Sequence, residues 1–77
     1  MKALFNCSCI KNVYLRHGLS YVELEITYID DQNTSWMSRK SLNDISDKTY
    51  HKERYGTAYN TLKKALLEQE TFVEIEL

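Results

Sequence analysis

Four residues of this chain have the types that metal and redox centres use: Cys7 and Cys9, one residue apart, with His17 and His51. Two thiolates and two imidazoles make a zinc set. The spacing argues against one. A metal knuckle takes C-x2-C so that both sulfurs converge from a turn. A C-x-C pair in a strand sends both side chains to one face with α-carbons roughly 6.6 Å apart, awkward for one metal and for a disulfide. Both cysteines are therefore expected as small buried hydrophobes, with no metal and no cofactor. His17 falls in a turn and His51 on a helical stripe near Tyr55, and no Ser, Cys or Asp stands at a spacing that marks it as nucleophile or orienting acid for either. Glu23 with Glu25, and Glu74 with Glu76, are paired carboxylates. General acid–base pairs need a cleft that drives their pKa values apart, which an open sheet does not supply. Gly18 and Gly56 stand alone, so no phosphate-cradling loop is present. The expectation is a chain without catalytic residues, not an enzyme.

The elements that place these residues follow from periodicity. Residues 21–30 put Val22, Leu24, Ile26 and Tyr28 on one face of a strand and Tyr21, Glu23, Glu25 and Thr27 on the other. Residues 2–15 alternate as a first strand, with Ala3, Phe5, Cys7, Cys9, Val13 and Leu15 facing inward; Lys11 interrupts that face and suggests a bulge or a strand end. Gly18 is read as the hairpin residue tolerating positive φ between these two strands. Asp30, Asp31, Gln32 and Asn33 form the next turn, and 34–40 a third antiparallel strand. Beyond Ser41 the period lengthens. Ser41 can cap a short helical turn, and Ser46 or Asp47 a longer helix whose buried stripe is Tyr55, Ala58, Tyr59, Leu62, Ala65 and Leu66. Gly56 inside that stripe marks either a break or a close approach to a strand. Residues 72–77 alternate again, with Val73, Ile75 and Leu77 inward and Phe72, Glu74 and Glu76 outward.

The predicted fold class is α+β: a four-stranded mixed sheet in the order strand, strand, strand, helix, strand, with one main helix packed on one face. The helix reads as a right-handed crossover that lays the last strand parallel to the first, giving the spatial order 3-2-1-4. The length of 77 residues allows a single domain, 1–77, with a small core. Hydrophobic residues make up 43% and charged residues 27%, which suits a folded rather than a disordered chain. A net charge of -1 argues against phosphate neutralisation as the chain's main business. No leader-like or spanning hydrophobic run is evident, so the expected location is the cytoplasm, with reduced thiols.

One helix leaves the other sheet face bare. That face is predicted to gather Leu4, Ile10, Tyr14, Tyr21, Glu23, Glu25, Ile29, Phe72, Glu74 and Glu76. Six Tyr and one Trp exceed what so small a core needs, and surplus Tyr favours interfaces. The bland reading is a solvated face whose glutamates keep the chain soluble. The functional reading takes Tyr14, Tyr21, Glu23, Glu25, Phe72, Glu74 and Glu76 as a docking surface for a larger protein with a basic surface. A second copy of the chain would bury the same residues, so a homodimer is open. The competing nucleic-acid reading uses Trp36 as a stacking platform with Arg39 and Lys40, but Asp44, Asp47 and Glu53 lie among the basic residues that follow, so direct nucleic-acid binding is not expected.

In size and texture, being short, proline-free and poor in glycine, the chain resembles the small inhibitors that phages make against host defences, including anti-CRISPR proteins and phage antitoxins. No motif matches residue by residue, so the resemblance carries over no site. It implies a protein that blocks a nucleic-acid-binding surface, with carboxylates standing in for phosphates, and a host cytoplasmic location if phage-encoded.

Overall fold

The strongest alternation in the sequence becomes the middle strand of the structure. In the computed structural model, which describes residues 1–32 and 34–77, the chain runs β1 (Lys2–Asn6), a 3-10 turn (Cys7–Cys9), β2 (Ile10–His17), β3 (Tyr21–Tyr28), β4 (Ser35–Ser41), α1 (Ile45–Leu67) and β5 (Phe72–Glu76). It is α+β, with five strands in two sheets: an antiparallel meander in the order β2-β3-β4, and an antiparallel ribbon of β1 with β5. Val22, Leu24 and Ile26 of β3 are each 0% exposed. They meet Tyr55, Ala58, Leu62 and Ala65 from α1 in one core cluster, which also takes Phe5, Val73 and Ile75 from the ribbon. Phe5 closes edge-on against Trp36 of β4, ring centroids 5.1 Å apart, so the two sheets share their inner sides.

This corrects the single four-stranded mixed sheet, and the reason is local. The predicted first strand is interrupted at Cys7–Cys9. Asn6 folds the chain into the 3-10 turn: its Oδ1 accepts from the Ser8 backbone N–H at 3.1 Å and from the Ser8 hydroxyl at 2.8 Å. Such side-chain bonds offer the backbone an alternative to the sheet ladder. The turn also shifts the alternation. Cys7 is buried, Cys9 is exposed rather than a second buried hydrophobe, and Ile10 goes into the core rather than to the open face. Freed from the line of β2, β1 pairs with β5 instead, Phe5 opposite Val73 and Ala3 opposite Ile75. The last strand is therefore antiparallel to the first, not parallel: the crossover rule governs strands of one sheet, and α1 here connects two. At the open end of the ribbon the Met1 amine donates to the Leu77 carbonyl at 2.7 Å.

Other local expectations meet the structure directly. The register of β2 on β3 slips between Ile10 and Asn12, which makes Lys11 the bulge. Gly18 closes the β2–β3 turn, donating to the Tyr21 carbonyl at 3.0 Å, but no glycine has a positive φ. Its missing side chain matters sterically, because a Cβ there would sit 2.5 Å from Tyr21 Cε1. Asp30 organises the β3–β4 turn by accepting from the backbone of Gln32 and Thr34 and from the Thr34 hydroxyl; Asn33, assigned to the same turn, lies outside the described residues.

The helix cap is Asp44, not Ser41, Ser46 or Asp47, its carboxylate accepting from the Asp47 N–H at 2.8 Å. α1 then runs unbroken through Gly56 for 23 residues, about 34 Å. It ends in a Schellman motif: the Glu70 N–H donates to the Ala65 carbonyl, the Gln69 N–H to that of Leu66, and Gln69 occupies the left-handed region at φ 57. A Cβ at Gly56 would meet nothing within 4 Å, so neither a break nor a close approach explains that residue.

Candidate functional site

With Val22, Leu24 and Ile26 turned toward α1, the alternate residues of the meander form its outer face. The register places Arg16, Glu23 and Arg39 in one cross-strand row and Tyr14, Glu25 and Met37 in the next. Arg16 Nη1 lies 2.7 Å from Glu25 and 3.3 Å from Glu23, and its guanidinium covers the Tyr14 ring at 5.0 Å. Arg39 covers Tyr21 at 4.2 Å. The Tyr21 ring also fills the space that Gly18 leaves open. Glu23 is only 9% exposed, and its bond to Arg16 is what satisfies a carboxylate so far withdrawn from water. The hydrogen bond to Glu25 holds the Arg16 guanidinium above its ordinary value, with the charges of both glutamates adding to it and desolvation opposing.

Four of the predicted docking residues, Tyr14, Tyr21, Glu23 and Glu25, are thus brought together. The character of their face differs from the expectation: Arg16 pairs with both glutamates and Arg39 stands in the same row over Tyr21, so it is a charge mosaic with aromatic rings rather than an acidic surface. Neither arginine belongs to the docking set predicted from the sequence, which places Arg39 in the nucleic-acid reading. The signal that would have found Arg16 is parity, since it lies two residues beyond Tyr14 on the same strand. Met37, 51% exposed, completes the row.

Phe72, Glu74 and Glu76 sit elsewhere. They line the outer side of the ribbon, with Leu4 opposite Glu74 and Lys2 opposite Glu76. Leu4 is 65% and Phe72 57% exposed, and among the described residues neither glutamate has a cation within 4 Å. The sequence reading placed these residues beside Tyr14 and Tyr21 on one sheet; the structure puts them on a second sheet.

A third region gathers Arg39 and Lys40 of the nucleic-acid reading with residues of α1. Between β4 and the first half of α1 lies a groove of about 390 Å³, with Arg39 and Lys40 on one wall and Tyr50, His51 and Arg54 on the other. Its floor is fixed by a 2.7 Å hydrogen bond between the hydroxyls of Ser38 and Tyr55. Tyr50 and Arg54, four residues apart on the helix, stack with the guanidinium 5.3 Å from the ring, and His51 meets Tyr50 edge-on at 5.0 Å. Trp36 takes no part: it faces inward against Phe5, whereas its strand neighbour Arg39 belongs to the outer row.

No family model, curated protein or solved structure matches the chain. The functional reading rests on the placement of its own residues. Cys7, Cys9, His17 and His51 are not assembled into a centre: among the described residues no three His, Cys, Asp or Glu side chains are grouped so as to hold a metal ion. No helix among them is long and apolar enough to cross a membrane. Tyr28, at the end of β3, has its phenol pKa pushed up by burial and, secondarily, by the charge of Cys9.

Proposed function

We propose that this chain is a non-enzymatic protein-binding module whose docking surface is the outer face of β2, β3 and β4. The observation that carries the reading is the clamping of Tyr14 and Tyr21 under Arg16 and Arg39, with Arg16 held in turn by Glu23 and Glu25. Tyr, Arg and Met are the side chains that interfaces favour and that carry much of their binding energy. Here they are ordered before any partner arrives, which removes part of the entropy cost of association. The internal ion pairs also mean that the face discriminates by charge pattern rather than by net attraction.

The narrower form of the reading is a phage-type inhibitor that covers a basic, nucleic-acid-binding surface of a larger protein. Glu74 and Glu76 support that form, as the outward carboxylates not matched by arginines, flanked by exposed Phe72 and Leu4. In this arrangement the meander face supplies the anchor and the ribbon supplies the long-range field.

The test is affinity purification from the native host with wild-type chain and with Tyr14→Ala, Met37→Ala double variant, after thermal unfolding has shown both to be folded. The expected result is a specific partner lost from the double variant and recovered less by Glu74→Lys than by wild type at low salt, with the two converging at high salt. A partner retained equally by the double variant overturns the assignment of the meander face. Light scattering on the free protein separates a second copy of the chain from a foreign partner.

A further inference from the structure

We infer that the groove between β4 and α1 is a second, independent binding site, for a nucleotide unit: a phosphate held by Lys40 and Arg54, with a base stacked on Tyr50. Three observations converge. No Asp or Glu lines the groove, although acidic residues outnumber basic ones in the chain, 11 to 10. Among the described residues neither Lys40 nor Arg54 has a carboxylate within 4 Å, so their charge is available to an anion. Tyr50 is 55% exposed yet held by Arg54 over one side and His51 at its edge, which leaves an aromatic surface set in a fixed orientation beside cations. Cations along a groove with a presented aromatic ring are the two components of sequence-tolerant single-strand binding. A groove of about 390 Å³ accommodates one nucleotide rather than a duplex.

The net charge of -1 does not oppose this, because no acidic side chain lines the groove itself: Glu23 and Glu25 are tied to Arg16, and Glu74 stands on the ribbon's outer side. Glu53 and Glu76 come nearest, in an adjoining depression that shares Tyr50 and Arg54. They restrict the phosphate to the Lys40 side of Arg54.

The probe is a fluorescein-labelled oligothymidylate of about ten nucleotides, followed by anisotropy with the intact chain. Saturable binding is expected at low salt. With two cations engaged, Lys40 and Arg54, it should weaken about sevenfold between about 50 and about 200 mM salt. Lys40→Glu with Arg54→Glu should cost at least about tenfold, and Tyr50→Ala at least about fivefold by loss of stacking. Lys63→Glu, the same kind of charge change elsewhere on α1, should leave binding within about twofold. Should the double charge reversal unfold the chain, Lys40→Gln on the exposed strand supplies the charge test alone. Competition by thymidine monophosphate identifies a free nucleotide as the ligand, and competition by oligonucleotide only identifies a single strand. A flat anisotropy at low salt, equal loss in Lys63→Glu, or equal competition by polyglutamate or inorganic phosphate overturns the site. The Tyr14 and Met37 variants leave this groove intact, so the two sites fail or succeed separately.

Discussion

Two pairs of glutamates, each spaced by one residue on a strand and each next to aromatic groups, have different fates in this molecule. Glu23 and Glu25 lie on β3, which has a strand on either side, and both neighbours supply an arginine to the shared row. Glu74 and Glu76 lie on β5, which has one neighbour, and that neighbour offers only Lys2, with no ion pair formed. Identical local patterns thus become a half-buried ion-pair network in one place and a solvated acidic edge in the other. Strand position decides it. A central strand has two neighbours that can supply a counter-charge, here Arg16 of β2, while this ribbon strand leaves the charge to water or to a partner.

The sharpest way to break this contrast is to reverse one charge in each pair. Glu23→Lys sets a third cation between Arg16 and Arg39 and removes the carboxylate that Arg16 satisfies; it should cost about 3 kcal/mol and lower Tm by on the order of 10–20 °C. Glu74→Lys should change stability by no more than about 0.5 kcal/mol. Thermal denaturation of both variants measures the difference, and comparable losses would mean that Glu23 is no more structural than Glu74.

The two glycines repeat the contrast at smaller scale. Gly18 touches the crowded face, where an added methyl group would press on the Tyr21 ring already held by Arg39. Gly18→Ala should therefore destabilise by about 1–2 kcal/mol, and the loss should largely vanish when Tyr21 is also replaced by Ala, since neighbours in contact do not add. Gly56 faces open space in the middle of a helix, so Gly56→Ala should stabilise by up to about 1 kcal/mol. A denaturant titration of Gly18→Ala, Tyr21→Ala, their double variant and Gly56→Ala checks sign and coupling together. If Gly18→Ala proves neutral, the Tyr21 ring is not wedged in the turn.

Much of the architecture was readable from period alone. β3, the stripe on α1 and β5 fall where alternation or three-and-four spacing placed them, because each is one uninterrupted element with one buried side, while β4, with only half-buried residues inward, was placed by the polar turn before it. The first strand misled because its inward residues change parity from Phe5 and Cys7 to Ile10 and change back at Val13; the first slip is the trace of the 3-10 turn and the second that of the Lys11 bulge. Everything long-range followed from it: two sheets instead of one, and β5 antiparallel. The docking residues were legible as types but not as an electrostatic unit, since the Arg16–Glu25 contact depends on register, which only the folded hairpin fixes. The groove was invisible for the same reason, as Lys40 and Arg54 meet only through tertiary packing.

Tyr28 lies at the seam between the two regions and gives the smallest, most specific test. It pairs with Ile10, immediately after the turn that separates ribbon from meander, and Cys9 accepts the Ile29 backbone N–H at 2.8 Å just beside it. Burial raises its phenol above the ordinary 10.0, and the Cys9 charge adds to that. The folded chain then keeps this proton at a pH where the unfolded chain has released it. Above about pH 10 the unfolded state binds fewer protons, so stability falls as pH rises; below that value the contribution is fully present. Tyr28→Phe removes the titrating group, and the slope of stability above about pH 10 should become shallower, with Cys9→Ser producing a lesser change in the same direction. Parallel alkaline slopes in wild type and Tyr28→Phe would mean that the ring is solvated, and that the seam is looser than the packing of β2 on β3 implies.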